Sequence, residues 1–158
     1  MKIEIYADGI SKEDANLDNK SVACRAIMKK DDKYCLMHLT KYNIFTTPGG
    51  RMEGNESLED CLEREVLEET GIIVKALEKT VTTTEYFIDS VWTMHYFTVE
   101  IIEMGKEIQL TDEEINLGME TVWKTLEEVL DIFENEIPTH KNGSNIHNRE
   151  FIGFINSI

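Results

Sequence analysis

Apolar and polar positions alternate from Met1 to Tyr6, which predicts a short strand, and the polar, turn-rich run from Ala7 to Lys20 reads as a connector. Ser21–Lys29 and Lys33–Leu39 are largely apolar and flank Lys30-Asp31-Asp32, the pattern of a hairpin with a charged turn. Thr40–Asn55 is expected to be a loop, since Pro48-Gly49-Gly50 interrupts regular structure. Ile73–Phe87 and Val91–Ile102 are rich in β-branched and aromatic residues around Ile88-Asp89-Ser90, so a second hairpin is expected there. Thr111-Asp112-Glu113-Glu114 and Thr125-Leu126-Glu127-Glu128 are capping boxes that each start a helix. The first is short and ends at Gly118, and the second runs to about Asn135. Asn145–Ser157 keeps Ile146, Phe151, Ile152 and Phe154 at helical spacing. Mixed strands around helices of this kind fit an α/β sandwich.

The most informative helix is the one predicted from Ser57, a capping residue, to Thr70, with Gly71 able to close it in the left-handed conformation. At roughly 100° per residue from Glu65, Leu58, Cys61, Leu62, Glu68, Glu69 and Ile72 all fall within about 60°. Glu65, Glu68 and Glu69 are thus expected on the apolar stripe, on the surface with which the helix packs. Carboxylates at i, i+3 and i+4 repel unless a cation intervenes. All-oxygen ligation favours Mg²⁺, with Mn²⁺ as an alternative, and Mg²⁺ shares substrate phosphates instead of filling a closed protein cage. Arg64 can pair with Glu68 or Glu56 and hold the acidic cluster in one geometry. Arg51, directly after the glycines, can reach a phosphate, because guanidinium matches phosphate oxygens in pairs.

Composition narrows the partners. A formal charge of −15 argues against binding long nucleic acids, which needs a basic surface, but leaves a small nucleotide that carries its own metal ions. No apolar run reaches membrane-spanning length and no leader pattern opens the chain, so a cytoplasmic protein without a membrane partner is expected. The 158 residues suit one domain, with 1–20 as strand and connector and 145–158 as a C-terminal helix. Cys24, Cys35 and Cys61 sit in apolar patterns and read as buried thiols. His38 and His95 read as core or cleft residues, and His140 and His147 lie near a polar loop. Trp92, Trp123, Tyr86 and Tyr96 are expected mostly in the core. A homodimer is the assembly to expect on general grounds.

Gly50, Glu56, Arg64-Glu65-Val66, Glu68-Glu69 and Gly71-Ile72 match the pattern G-x5-E-x7-R-E-U-x-E-E-x-G-U, where U is a bulky aliphatic residue, without a gap or substitution. The chain therefore resembles the Nudix hydrolases. Weaker similarity runs from the strand near Ser21 to the segment from Trp123 to Glu128, and the first twenty residues carry none. The resemblance implies a Nudix-type α/β/α sandwich with a mixed central sheet and a loop-helix-loop metal site. It implies hydrolysis of the pyrophosphate in a nucleoside diphosphate linked to a group X. Metal ions would be held by Glu65, Glu68, Glu69 and the Gly49 carbonyl, with Arg64 supporting them and Gly50 and Arg51 near the substrate.

The resemblance also implies a carboxylate from a late loop, for which Glu114 and Glu113 are the candidates and Glu120 and Glu53 the weaker ones. Either Glu65 or that outside carboxylate would take the proton of the attacking water. The alternative function is a non-hydrolytic, nucleotide-sensing module of the same fold. Such a module would be expected to lack one of the carboxylates, and all are present here.

Overall fold

The structure, a computed structural model, describes all 158 residues, the side chain of Asp8 excepted. Its elements are β1 (Lys2–Tyr6), β2 (Lys20–Ile27), β3 (Lys29–Lys30), β4 (Lys33–Leu39), β5 (Ile44–Thr46), β6 (Gly49–Arg51), α1 (Leu58–Thr70), β7 (Ile73–Tyr86), β8 (Val91–Glu103), α2 (Asp112–Asn116), β9 (Met119–Thr125), α3 (Leu126–Asn135) and α4 (Gly143–Ile155).

One sheet has the order β1-β7-β8-β2-β6 and is mixed: β1 runs parallel to β7 and β2 parallel to β8, while β7 with β8 and β2 with β6 are antiparallel. The second sheet is antiparallel, with β4 between β9 on one edge and β3 and β5 on the other.

Residue alternation along β2 and β4 explains the layering, since neighbouring side chains point to opposite faces of a strand. Ala23, Ile27, Tyr34 and Leu36 join Val129, Ile132, Phe133 and Phe154 from α3 and α4 in one core. Cys24, Ala26 and Cys35 join Cys61, Leu62 and Val66 from α1 in the other. Helices thus cover both faces of the strands, the α/β/α sandwich expected. All three cysteines are buried and free, as their apolar settings suggested.

Two expectations need correction. The segments 21–29 and 33–39 do not form one hairpin. β2 belongs to the mixed sheet, and the chain crosses to the other sheet at the fully buried Met28, so the tight turn at Asp31-Asp32 joins only β3 to β4. Asp31 sits at φ 55°, a left-handed conformation that Asp tolerates in turns.

The span 40–55 is not all loop either, because β5 and β6 lie within it. Gly49 and Gly50 pair with Arg25 and Cys24 instead of breaking the sheet. Gly49 adopts φ 144°, and a Cβ there would lie 2.0 Å from the Cys24 carbonyl oxygen, so glycine is what lets this edge approach β2. No helix among the described residues is long and apolar enough to cross a membrane.

Candidate active site

α1 forms where its sequence says it should. The Ser57 hydroxyl accepts the Asp60 N–H at 3.0 Å, and Gly71 closes the helix at φ 70° with its N–H on the Leu67 carbonyl. Its buried face carries Cys61, Leu62, Val66, Glu69 and Thr70, so the stripe is centred nearer Glu69 than Glu65. Glu69 is the carboxylate at the centre of the packed face, with 4% of its surface exposed. The Glu65 side chain is 13% exposed and that of Glu68 36%, which places Glu68 at the rim instead of on the stripe.

Arg64 gathers the other carboxylates. Its Nη2 and Nε donate to the two oxygens of Glu56 at 2.7 and 3.0 Å, and its Nη1 donates to Glu65 at 3.0 Å and Glu68 at 3.3 Å. Nη2 also reaches the Arg51 carbonyl at 3.3 Å, tying the helix to the end of β6. The bidentate hydrogen bond from Arg64 holds the Glu56 carboxyl down at about 2. Arg64 in turn is held more firmly protonated, Glu56 being the main cause.

Glu69 has a different partner. The Gly49 N–H donates to its Oε2 at 3.0 Å. Burial dominates its titration and pushes it up to about 8, against the opposing pull of Arg25 and the Gly49 N–H, with Glu65 and Glu114 adding repulsion. Glu65 is raised for the same first reason, burial, with Arg64 opposing. Gly50 makes room for it: a Cβ at that position would stand 2.4 Å from the Glu65 carboxyl carbon.

Gly49, Gly50, Arg51, Glu69 and Glu114 all line one cavity of about 880 Å³. Glu114 arrives from the start of α2, where its Oε1 accepts the Thr111 N–H at 2.9 Å as the capping box requires. The guanidinium of Arg51 lies 5.7 Å from the ring centre of Trp92, which forms part of the cavity wall.

Residues 19–143 match the NUDIX domain model. The chain belongs to the Nudix family. An uncharacterized Nudix hydrolase of Bacillus subtilis, YvcI, is 40% identical over 48 residues, a stretch that spans 30% of each chain. Among solved structures, a NUDIX hydrolase from Nitrosomonas europaea is similar with TM-score 0.64 and 18% identity, over 88% of this chain and 93% of that one. An ADP-ribose pyrophosphatase from Streptococcus suis is similar with TM-score 0.55 and 16% identity, over 85% of this chain and 90% of that one. A MutT protein from Bacillus halodurans is similar with TM-score 0.56 and 25% identity, over 81% and 80%. These similarities are of fold.

Nudix hydrolases generally use divalent metals, and the donor set here suits one. Glu69 is buried and Glu65 partly buried, each carboxyl has one hydrogen bond, and burial disfavours the charged form of both. Among the described residues no three His, Cys, Asp or Glu side chains converge into a ready-made cage. The reason is visible in the pairing: Arg64 draws Glu65 and Glu68 one way and the Gly49 N–H holds Glu69 another. A hard cation that keeps waters and shares ligand phosphates needs no closed cage. The Gly49 carbonyl, expected among the ligands, accepts Arg25 Nη1 at 3.1 Å and keeps one lone pair.

Of the outlying candidates, Glu113 is exposed and absent from the cavity wall. Glu120 pairs in β9 opposite His38, and Glu53 lies 3.8 Å from Arg64 on the surface. His38 stacks on Phe45 and bonds Asn43, His95 bonds Thr82, and His140 accepts the Asn142 N–H. His147 lies near the 136–142 loop, within the C-terminal helix. It is buried on α4, where its Nε2 accepts the Phe45 N–H at 2.9 Å. Tyr86 and Tyr96 are buried, and Trp92 and Trp123 are partly so.

Sequence reasoning missed four charged residues beside the Nudix carboxylates. Arg25, Glu85 and Arg149 line the same cavity, and Glu150 sits behind them fully buried. Arg149 Nη2 donates to Glu150 at 2.9 Å, Arg25 Nε lies 3.7 Å from Glu150, and Arg149 Nη1 lies 3.5 Å from Glu85. A signal was available. Arg25 shares strand parity with Ala23 and Ile27, and Glu85 shares it with Val81 and Thr83, so each is a charge at an inward position.

Proposed function

We propose that this Nudix hydrolase cleaves, with Mg²⁺ and with Mn²⁺ as a substitute, the pyrophosphate linkage of a nucleoside diphosphate joined to a group X, in the cytoplasm. The observation that carries the reading is the buried Glu69 carboxylate, bonded only to the Gly49 N–H and facing a cavity that also holds Gly50, Arg51 and Glu114. A buried carboxyl so short of positive charge, pushed up to about 8 by burial, gives up its proton readily only when a cation arrives, and that cation in turn attracts a polyanionic ligand.

Glu65, Glu68 and Glu69 would hold the metal, which supplies neutralisation of the diphosphate and a lower pKa for the attacking water. Arg64 keeps Glu56, Glu65 and Glu68 in one arrangement, so it is a positioning residue. Arg51 reaches a phosphate oxygen from the end of β6. The proton of the attacking water passes to Glu65 or Glu114, both close enough to Glu69 to raise its pKa.

The test is a panel of ADP-ribose, nucleotide sugars, dinucleoside polyphosphates and oxidised nucleoside triphosphates, assayed with and without Mg²⁺. Cleavage at the pyrophosphate of at least one compound, dependent on the metal, is expected. Binding without cleavage across the panel would favour a sensing module instead.

A further inference from the structure

Glu69, Glu114 and the glycine edge occupy one part of the cavity, and a second set of polar groups in its wall remains unused. Glu85 is 1% exposed, and neither of its carboxylate oxygens has a hydrogen-bond partner. Its nearest cation, Arg149 Nη1, stands 3.5 Å away, an ion pair too long to satisfy either oxygen. Arg149 Nε is unpartnered as well. Native interiors satisfy nearly all such groups, so a carboxylate lacking donors beside a guanidinium with one N–H lacking an acceptor implies a ligand carrying both.

The surroundings say what shape that ligand has. Glu85 on β7 faces Trp92 on β8 directly across the ladder, so the indole stands beside the carboxylate on the same face of the sheet. Ala7, Ile10 and Ile146 add apolar wall. These three and Arg149 lie outside residues 19–143, in the segments that flank the shared domain, which is where selectivity can vary without disturbing the acidic helix.

We propose that Glu85 and Arg149 form a base-reading subsite for a nucleobase edge with adjacent N–H donors beside a carbonyl, as in guanine, with Trp92 as its flat wall. The two Glu85 oxygens accept the paired N–H groups, and Arg149 donates to the carbonyl. Adenine offers one donor beside an acceptor and leaves a buried oxygen of Glu85 unpaired, a mismatch that hydrogen-bonding sites discriminate strongly. This assignment rests on the nucleotide-hydrolase reading and names the base within it.

The experiment compares kcat/KM with Mg²⁺ for guanine, hypoxanthine and adenine forms of one nucleoside diphosphate derivative, and measures binding of GMP, IMP and AMP by calorimetry. Guanine is expected to be favoured at least tenfold over hypoxanthine, which lacks the second donor, and over adenine. Glu85→Gln, whose amide offers one donor and one acceptor, is expected to shift the guanine-to-adenine ratio by at least thirtyfold toward adenine. A purely structural role would lower all three in parallel and leave the ratio unchanged, and that result overturns the subsite. Hydrolysis without base preference overturns the subsite alone. Tighter GMP binding with no hydrolysis of any compound supports the subsite and overturns the hydrolase reading. The wild-type comparison of guanine with hypoxanthine decides the matter even if Glu85→Gln does not fold.

Discussion

Glu150 Oε2 accepts both the backbone N–H and the hydroxyl of Thr47, at 2.8 and 2.7 Å, fixing α4 to the residue that precedes Pro48-Gly49-Gly50. Burial alone would raise the Glu150 carboxyl, but Arg149, Arg25 and the Thr47 bonds outweigh it and hold the group below the usual carboxylate range. Thr47→Val removes the hydroxyl donor at nearly constant volume and is expected to destabilise by about 1–3 kcal/mol. Urea unfolding reads this directly. A midpoint unchanged from wild type would show that the hydroxyl bond contributes nothing.

The two glycines of β6 make opposite predictions. Gly49→Ala drives a Cβ into the Cys24 backbone at φ 144°, with neither partner free to yield, so a loss of stability above about 2 kcal/mol is expected. Gly50→Ala meets only the flexible end of Glu65, so the fold should survive with a shifted carboxylate and activity reduced at least tenfold. Thermal melts and rates on the same two variants separate the effects. Equal melting temperatures for both would refute the backbone contact.

Arg64 lowers the Glu56 carboxyl to about 2 through its bidentate bond. A carboxylate depressed on folding adds stability that is complete above its unfolded pKa, near 4.5, and is lost as the pH falls toward about 2. Arg64→Lys cannot make the paired contact, so Glu56 is expected to titrate closer to its ordinary value and the acid-unfolding curve to move to higher pH. A carbon-detected NMR titration of Glu56 follows this. An unmoved Glu56 midpoint would assign the depression to something other than Arg64.

His147 is held below its ordinary pKa mainly by burial, and its Nε2 must stay unprotonated to accept the Phe45 N–H. Folding therefore favours the neutral ring: its contribution is complete above about 6.5 and declines as the pH falls below that value. His147→Gln is expected to flatten the melting temperature between pH 7.5 and 5.5. If the wild-type curve is already flat there, this ring does not titrate on unfolding.

The limits of α1, both late capping boxes and the long β7–β8 hairpin were legible because each is set by local chemistry: Ser57, Thr111 and Thr125 as caps and Gly71 as a left-handed stop. What escaped was long-range. Nothing local tells Lys20–Ile27 to pair in parallel with Val91–Thr98, 71 residues on, instead of with its neighbour. Nor does a glycine pair disclose that it will lie in a ladder against Cys24 and Arg25. The acidic residues were named from their spacing, whereas the buried set around Glu85 and Glu150 is assembled from β2, β7 and α4, and only folding brings it together.

The central claim is that Glu69, buried against Gly49, serves hydrolysis at the expense of stability. Glu69→Gln keeps the volume and the acceptor for the Gly49 N–H while removing a carboxyl that burial pushes up to about 8 and that must therefore take up a proton to fold at neutral pH, so the melting temperature there should hold or rise. The decisive measurement is the rate of Mg²⁺-dependent pyrophosphate cleavage, followed by phosphorus NMR, for wild type and Glu69→Gln on the best compound of the panel. A fall of at least about 100-fold in the folded variant is predicted, in line with loss of one preorganised charged group. A rate within twofold of wild type would contradict the account.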